Sequence, residues 1–120
     1  MTSDQDPATE PLLVFTNLPD EAAARALAAH LIGQRLAACV NILPPCTSVY
    51  RWEGRIEESK EIPLLIKTTA ARFDALAAVI RAQHPYELPE IIAVPVISGL
   101  PAYLSWIAAE TRPDTDLPPC

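Results

Sequence analysis

The chain has 120 residues, of which 50% are hydrophobic, so it is long enough for one domain with a buried core. Its 15 acidic and 9 basic side chains give a formal net charge of -6 at pH 7, which argues against nucleic acid as a partner. No apolar run approaches the roughly 20 residues of a membrane span, and the acidic, polar start is unlike a secretory signal, so we expect a cytoplasmic protein.

Both ends of the chain have the composition of tails. Residues 1–11 and 113–120 are rich in Pro, Asp and Thr and lack a sustained apolar period, so neither can bury enough surface to offset the entropy of ordering. We therefore expect a disordered N-terminal tail and a Pro-rich C-terminal tail around one domain at residues 12–112.

The first two predicted elements are a strand and a helix. Leu12 to Phe15 is a short apolar run suited to a buried strand. Pro19 followed by Asp20 and Glu21 is typical of a helix start, because acidic side chains stabilise the positive end of a helix. Gly33 is expected to supply the left-handed residue that ends this helix.

A long β-hairpin follows. Residues 36–53 predict one long strand, kinked at a pair of prolines. Glu53-Gly54 predicts a tight reversal, and Arg55 to Thr68 returns as a second long strand. Pro63 within that strand requires a sheet edge or a bulge, because proline cannot donate a backbone hydrogen bond.

The remaining elements are a helix, a strand and a helix. Thr69 is expected to cap a helix that ends just before the His84-Pro85 pair. Ile91 to Ile97 is a continuous apolar run, the pattern of a strand covered on both faces, with Pro95 at an edge or bulge. A last helix is expected to start at Pro101.

The order strand, helix, strand, strand, helix, strand is the split βαβ pattern. It predicts an α+β, ferredoxin-like sandwich with a long β-hairpin and an extra C-terminal helix. Such long strands would project beyond two helices and leave bare hydrogen-bonding edges, so we expect partner chains to cover them. Tyr50, Trp52 and Trp106 are then expected between subunits, the alternative being that they cap the domain's own core.

The segment His84-Pro85-Tyr86-Glu87-Leu88-Pro89-Glu90 concentrates an imidazole, a phenol and two carboxylates on a loop that prolines stiffen. His84 is a candidate metal ligand, and it could equally complete the end of the preceding helix. Glu87 and Glu90 could bind a hard cation or accept backbone hydrogen bonds. The sequence leaves these alternatives open.

The three cysteines, Cys39, Cys46 and Cys120, lack the spacing of a zinc site, so we expect free thiols. Cys39 lies in an apolar run, where the role of a small buried hydrophobic residue competes with metal binding. No nucleophile with an orienting base and no glycine-rich phosphate loop is present. We therefore expect neither an enzyme nor an organic cofactor.

Five ordered blocks of the chain resemble the CutA divalent-cation tolerance family, and together they span nearly the whole folded region. They are Leu36-Ala37-Ala38-Cys39-Val40-Asn41, Tyr50-Arg51-Trp52-Glu53-Gly54, Glu61 with Ile66-Lys67-Thr68, the segment His84 to Glu90, and Tyr103-Leu104-Ser105-Trp106. The resemblance implies a ferredoxin-like subunit in a tight homotrimer, with hairpin strands paired across subunits, broadly as in the PII signalling proteins.

The resemblance also implies tolerance to divalent cations and copper binding. His84 and Cys39 match candidate copper ligands, because imidazole suits Cu²⁺ and thiolate suits Cu⁺. Parts of the family have a further ligand cysteine in the first strand, where this chain has Thr16, and this departure weakens a thiolate site. A cleft between subunits is expected to accept copper or a small anion, and its lining residues are Tyr50, Trp52, Lys67, Tyr86, Glu87, Glu90 and Trp106.

Three functional hypotheses follow. The first is a trimeric, CutA-like protein that binds copper or other divalent metal ions, in which Lys67 pairs with a loop carboxylate across a subunit boundary. The second is a PII-like signalling or anchoring scaffold in which metal binding is incidental. The third is an enzyme in which His84 acts as general acid or base beside Glu87 or Glu90, and the lack of a nucleophile with an orienting base argues against it.

Overall fold

The computed structural model describes residues 7–113, and within them the chain forms one antiparallel sheet with three α-helices. A 3₁₀-helix covers Pro7–Thr9. The elements that follow are β1 (Pro11–Leu18), α1 (Glu21–Gly33), β2 (Cys39–Ile42), β3 (Cys46–Trp52), β4 (Arg55–Thr69), α2 (Ala70–Gln83), β5 (Ile92–Pro95) and α3 (Pro101–Glu110). Structure thus begins within the range expected as the N-terminal tail, whereas residues 1–6 and 114–120 lie outside the described residues.

The sheet has the strand order β2-β4-β1-β5, with β3 paired to β4 beyond the end of β2. All pairs are antiparallel, which confirms the predicted α+β, split βαβ architecture. Alternate side chains of β1 and β4 face α1 and α2 and form the core, in which Val14, Leu64 and Ile66 are fully buried.

The predicted extra helix, α3, lies on the opposite face of the sheet. On β4, Thr69 and Lys67 point away from the core. Lys67 contacts α3, and Thr69 contacts Thr111, the residue that follows α3. The Thr69 Oγ1 lies 3.4 Å from the Thr111 Oγ1, and the Lys67 Nζ lies 5.8 Å from the centre of the Tyr103 ring. We call this side of the sheet the open face, because no helix covers it among residues 7–113 outside the part that α3 contacts.

The two sheet-facing helices begin where the sequence predicts, but only one has a side-chain cap. The Asp20 carboxylate accepts a 2.8 Å hydrogen bond from the Ala23 amide and so satisfies a free donor of α1. Thr69 occupies the N-cap position of α2, yet its hydroxyl makes no capping bond. The prediction of a Thr69 side-chain cap is therefore wrong, since that hydroxyl points to Thr111 instead.

The end of α1 corrects a second prediction. Gly33 is still helical, and the left-handed residue is Arg35, with φ 58°. The Leu36 amide bonds to the Leu31 carbonyl and the Arg35 amide to the Ile32 carbonyl, the two bonds of a Schellman motif. The guanidinium of Arg35 donates 2.8 Å bonds to two carbonyls at the end of α3, which offsets the strain of its backbone.

The hairpin forms as predicted, except that its first strand is split. β2 and β3 are separate strands that both pair with β4, and Glu53 and Gly54, with φ 52° and 81°, form the tight reversal. Pro63 lies in an interior strand, opposite Asn17 of β1, so the prediction of a sheet edge is wrong. The bulge is present, because the three residues 43–45 stand opposite only Ile62 and Pro63. The Pro63 carbonyl accepts a hydrogen bond from the Leu43 amide. The N–H that proline lacks would point to the same side, at the gap between β2 and β3, so no strand pairing is lost there.

The last strand differs most from the expectation. β5 is only four residues long and forms the outer edge of the sheet, where Pro95 is tolerated as predicted. Ile92 and Val94 are 54% and 41% exposed, so in the single chain β5 is not covered on both faces. The apolar run that suggested a buried strand therefore lies on the surface of the subunit.

Candidate functional site

The end of α2 fixes the imidazole of His84 through both ring nitrogens. His84 follows Gln83 with extended backbone, at φ −80° and ψ 136°, and its side chain is 8% exposed. Its Nε2 lies 2.5 Å from the Asn17 carbonyl, and its Nδ1 accepts a 3.1 Å bond from the Tyr86 amide. This pattern fits the neutral ring with the proton on Nε2. A metal ion at Nδ1 would have to displace the Tyr86 amide, so the ligand role of His84 stays a prediction.

Tyr86 extends from this anchor toward the hairpin. Its ring centre lies 4.7 Å from that of His84, and its hydroxyl donates a hydrogen bond to Glu61 on β4. Partial burial, and then the negative charge of Glu61, raise the pKa of Tyr86 above its usual value of 10.0. The phenol is therefore held as a hydrogen-bond donor to a carboxylate.

A cleft of about 760 Å³ lies between the hairpin and the loop that carries Tyr86. It brings together five of the predicted cleft residues. The lining consists of Asn17, Ser48, Val49, Tyr50, Arg51, Trp52, Ser59, Glu61, Pro85, Tyr86, Glu87, Leu88 and Glu90. Two hydrogen bonds stiffen its walls: Tyr50 Oη to Ser59 Oγ at 2.7 Å, and Asn17 Nδ2 to Glu90 Oε1 at 2.8 Å.

Lys67 and Trp106 lie elsewhere in the single chain. The Lys67 ammonium is above the ring of Tyr103, and the ring centres of Tyr103 and Trp106 are 5.4 Å apart. These three side chains form a cluster under α3, on the open face. Their place in a cleft between subunits remains a prediction.

The structure also separates Cys39 from His84. Cys39 lies on β2, directly opposite Lys67 of β4, which in turn lies opposite Leu13 of β1. His84 is hydrogen-bonded to the Asn17 carbonyl, and Asn17 lies four residues beyond Leu13 on β1. Cys39 is therefore about 13 Å along the sheet and roughly 10 Å across it from the backbone that binds His84. One chain cannot place both side chains on the same ion.

Among residues 7–113, neither Cys46 nor Thr16 completes a metal site. Cys46 is half-buried at the start of β3, with its Sγ 3.8 Å from the Ser48 Oγ, and Cys120 lies outside the described residues. Thr16, the position of a cysteine in parts of the resembling family, is 1% exposed and faces the helices, whereas Cys39 is on the open face. Within residues 7–113, no three His, Cys, Asp or Glu side chains are close enough to hold a metal ion.

Sequence reasoning missed Glu61 as a site residue. It enters the prediction only as part of a family block, although it is 8% exposed and forms a wall of the cleft. The available signal is the position of an acidic residue at the start of the buried half of β4, next to Ile62. Asn17, Ser48 and Ser59 carry no such signal, because one small polar residue in a strand does not by itself indicate a binding site. None of the described helices is both long enough and apolar enough to cross a membrane.

Comparison with known proteins gives a consistent result. The sequence model of the CutA1 divalent ion tolerance protein family matches residues 12–110. A divalent-cation tolerance protein CutA from Thermus thermophilus is 46% identical over 99 residues, which cover 82% of this chain and 96% of that protein. A CutA protein from Yersinia pestis is 43% identical over 115 residues, covering 89% and 97%.

Solved structures agree with the fold. The crystal structure of CutA from Xylella fastidiosa superposes with a TM-score of 0.84 at 48% identity and covers 86% of this chain and 99% of that one. CutA1 from Oryza sativa gives a TM-score of 0.85 at 39% identity, covering 89% and 98%. The match extends over nearly all of the described elements, and the resemblance found in the sequence is confirmed. This chain belongs to the CutA1 family of divalent ion tolerance proteins.

Proposed function

We propose that this protein serves divalent-cation tolerance as a cytoplasmic homotrimer that binds copper or another divalent ion between its subunits, without catalysing a reaction. The observation that carries the proposal is the open face of the sheet. In one chain it combines an unpaired strand edge, exposed apolar side chains and a half-exposed thiol. Each of these features is accounted for when copies of the chain associate.

The open face is too apolar for a free surface. Leu13, Phe15 and Leu65 are only partly buried, and Ile92 and Val94 of β5 are exposed beside them. β5 pairs with β1 on one side, and no described residue pairs with its other side. An edge strand with apolar side chains favours pairing with another chain, which supports the homotrimer.

The candidate copper ligands fit a site between copies better than a site within one. The Cys39 thiol is half-buried on the open face, where association would enclose it, and thiolate is a suitable ligand for Cu⁺. His84 of the same chain is too distant to join it. The residues of one chain therefore do not fit a complete copper site, and the proposal assigns the ion to residues of more than one subunit.

Lys67 also supports association of several copies of the chain. Its ammonium rests over Tyr103, and among the described residues it forms no salt bridge, while the cleft holds the carboxylates of Glu61, Glu87 and Glu90. A second copy that brings Lys67 to a carboxylate would neutralise both groups. No observation on residues 7–113 favours the scaffold hypothesis over this one.

The test combines sedimentation with copper titration. The metal-stripped, fully reduced protein should sediment at three times the mass of the chain at micromolar concentration. It should then bind Cu²⁺ or Cu⁺ in a whole number of ions per trimer against a competing chelator, with binding lost in Cys39→Ser or His84→Ala.

Two substitutions serve as matched controls. Cys46→Ser removes the other described thiol, and His30→Gln removes an exposed imidazole on α1, so neither should change copper binding. A monomer at micromolar concentration, or loose binding that neither Cys39→Ser nor His84→Ala alters, would contradict the proposal.

A further inference from the structure

We propose that the cleft between the hairpin and the Tyr86 loop binds the ammonium group of an organic amine. In this site the carboxylate of Glu61 supplies the negative charge. The rings of Tyr50, Trp52 and Tyr86 supply the wall against which the cation and its alkyl chain lie. The site is separate from the candidate copper ligand Cys39, and it adjoins His84 through Tyr86.

Glu61 contributes a buried carboxylate to the cleft. Its side chain is 8% exposed and lines the cleft, and its carboxylate accepts a hydrogen bond from the Tyr86 hydroxyl. Among residues 7–113 no Lys, Arg or His forms a salt bridge with it. A buried carboxylate is costly without a cation, and it has room for more than one donor. Glu61 therefore lacks the positive partner that a buried acid normally has.

Three aromatic side chains form one wall of the cleft. Tyr50 and Trp52 alternate along β3 on the same side as Ser48, and they are 42% and 36% exposed. The hydrogen bond between the Tyr50 and Ser59 hydroxyls holds one ring in place, and the bond that Tyr86 donates to Glu61 holds another. Aromatic faces attract cations and cover hydrocarbon chains at the same time. Such a wall suits an organic cation better than a hydrated metal ion.

The charge and size of the cleft agree with this ligand class. Its lining includes the carboxylates of Glu61, Glu87 and Glu90 against the single guanidinium of Arg51, which leaves an excess of negative charge. The volume of about 760 Å³ falls within the range of small-molecule sites.

A divalent metal ion fits the same cleft less well. Hard divalent cations require several converging oxygen ligands, and the described residues contain no cluster of three suitable side chains. Glu90 is already bonded to Asn17. An ammonium group needs only one carboxylate together with neutral acceptors, and Ser48 and Ser59 supply hydroxyl oxygens nearby.

The ammonium group can come from two sources. One is a free amine, and the other is Lys67 of a second copy of this chain, which has no carboxylate partner among the described residues. Both sources present the same chemical group to Glu61. The experiment therefore includes a variant that removes the lysine.

The test is a titration with n-butylammonium chloride. Binding is monitored through the NMR signal of the Trp52 indole in a Trp106→Phe background. 1-Butanol is the neutral control of similar shape. We expect a saturable shift with butylammonium and none with butanol. Glu61→Gln should weaken binding by about ten-fold or more, since it removes a charged hydrogen bond. Glu87→Gln, at an exposed position of the same cleft, should weaken it less.

Lys67→Gln distinguishes the two sources. Binding by the unsubstituted chain indicates a free amine, whereas binding only after Lys67→Gln indicates that Lys67 of a second copy fills the cleft. Absence of saturable binding in both backgrounds would overturn the proposal, as would equal effects of butanol or affinity unchanged by Glu61→Gln. Because this titration contains no copper, its failure is separate from a failure of the copper experiment.

Discussion

Replacing Thr16 by valine should stabilise this fold. Thr16 is 1% exposed on the helix-covered face of β1, and its Oγ1 has no hydrogen-bond partner among the described residues. A buried hydroxyl without a partner costs about 1–3 kcal/mol, and valine fills a similar volume without that cost. We expect the free energy of unfolding to rise by about 1 kcal/mol, which corresponds to a Tm increase of roughly 4 °C for a domain of this size.

Thr68→Val is the matched comparison. Thr68 is also fully buried, on β4, but its Oγ1 donates a 2.7 Å hydrogen bond to the Leu36 carbonyl. The same substitution there leaves a buried carbonyl with one donor fewer, so we expect the free energy of unfolding to fall by about 1–2 kcal/mol. The two threonines differ mainly in whether the hydroxyl is bonded.

The assay is urea unfolding of both variants and of the unsubstituted chain, followed by circular dichroism at one fixed protein concentration. The concentration must be held constant because association contributes to apparent stability. A Thr16→Val variant that is destabilised as much as Thr68→Val would refute the reasoning. That result would mean that the Thr16 hydroxyl has a partner, such as a buried water molecule.

Three further predictions test local features. Asp20→Ala should lower the free energy of unfolding by about 1 kcal/mol, measured by urea unfolding, because it removes the cap of the Ala23 amide. Arg35→Ala should be less stable than Arg35→Gly by about 1 kcal/mol in thermal melts, since only glycine relieves the left-handed backbone; equal stability would contradict this. The raised pKa of Tyr86, caused by burial and by Glu61, gives stability that is complete below pH 10.0 and is lost as the pH rises further. This loss occurs because the unfolded chain gives up its phenolic proton first. Unfolding series on both sides of pH 10.0 should show this decline in the parent chain and a smaller one in Tyr86→Phe.

The elements with local causes could be predicted from the sequence. The start of α1 depends on Asp20, three residues from the amide that it caps, and the hairpin depends on Glu53-Gly54, which adopt the two positive φ angles of the turn. The helix after Thr69 ends where a proline follows His84. Each of these signals acts over a few residues, so no knowledge of the fold is needed.

The features that could not be predicted correctly depend on contacts between residues that are distant in the sequence. Arg35 adopts the left-handed conformation in place of Gly33 because its guanidinium reaches carbonyls at residues 109 and 112. The interior place of Pro63 could not be predicted, because it depends on where the neighbouring strand carries its extra residue, at residues 43–45. The exposure of β5 could not be predicted either, since an apolar run looks the same whether the subunit or a partner chain buries it.

The candidate site shows the same limit. The composition of the sequence distinguishes the segment from His84 to Glu90. The resemblance predicts Tyr50 and Trp52 beside it in a cleft between subunits, whereas the structure brings them together within one chain. Whether the His84 imidazole is free or hydrogen-bonded depends on the Asn17 carbonyl, which is 67 residues away in the sequence. Glu61 is distinguished only by its burial and by the Tyr86 hydroxyl, and neither can be derived from a strand pattern.

Equilibrium dialysis of copper against the reduced parent chain and against Val94→Lys tests most directly whether the ion is bound between subunits. Val94 is 41% exposed on the edge strand, so lysine there should be tolerated by the single chain but should oppose association through the open face. Saturable binding by an associated parent chain, lost together with association in a folded Val94→Lys variant, is the expected result. A folded, monomeric Val94→Lys variant that binds copper with unchanged affinity would contradict binding between subunits.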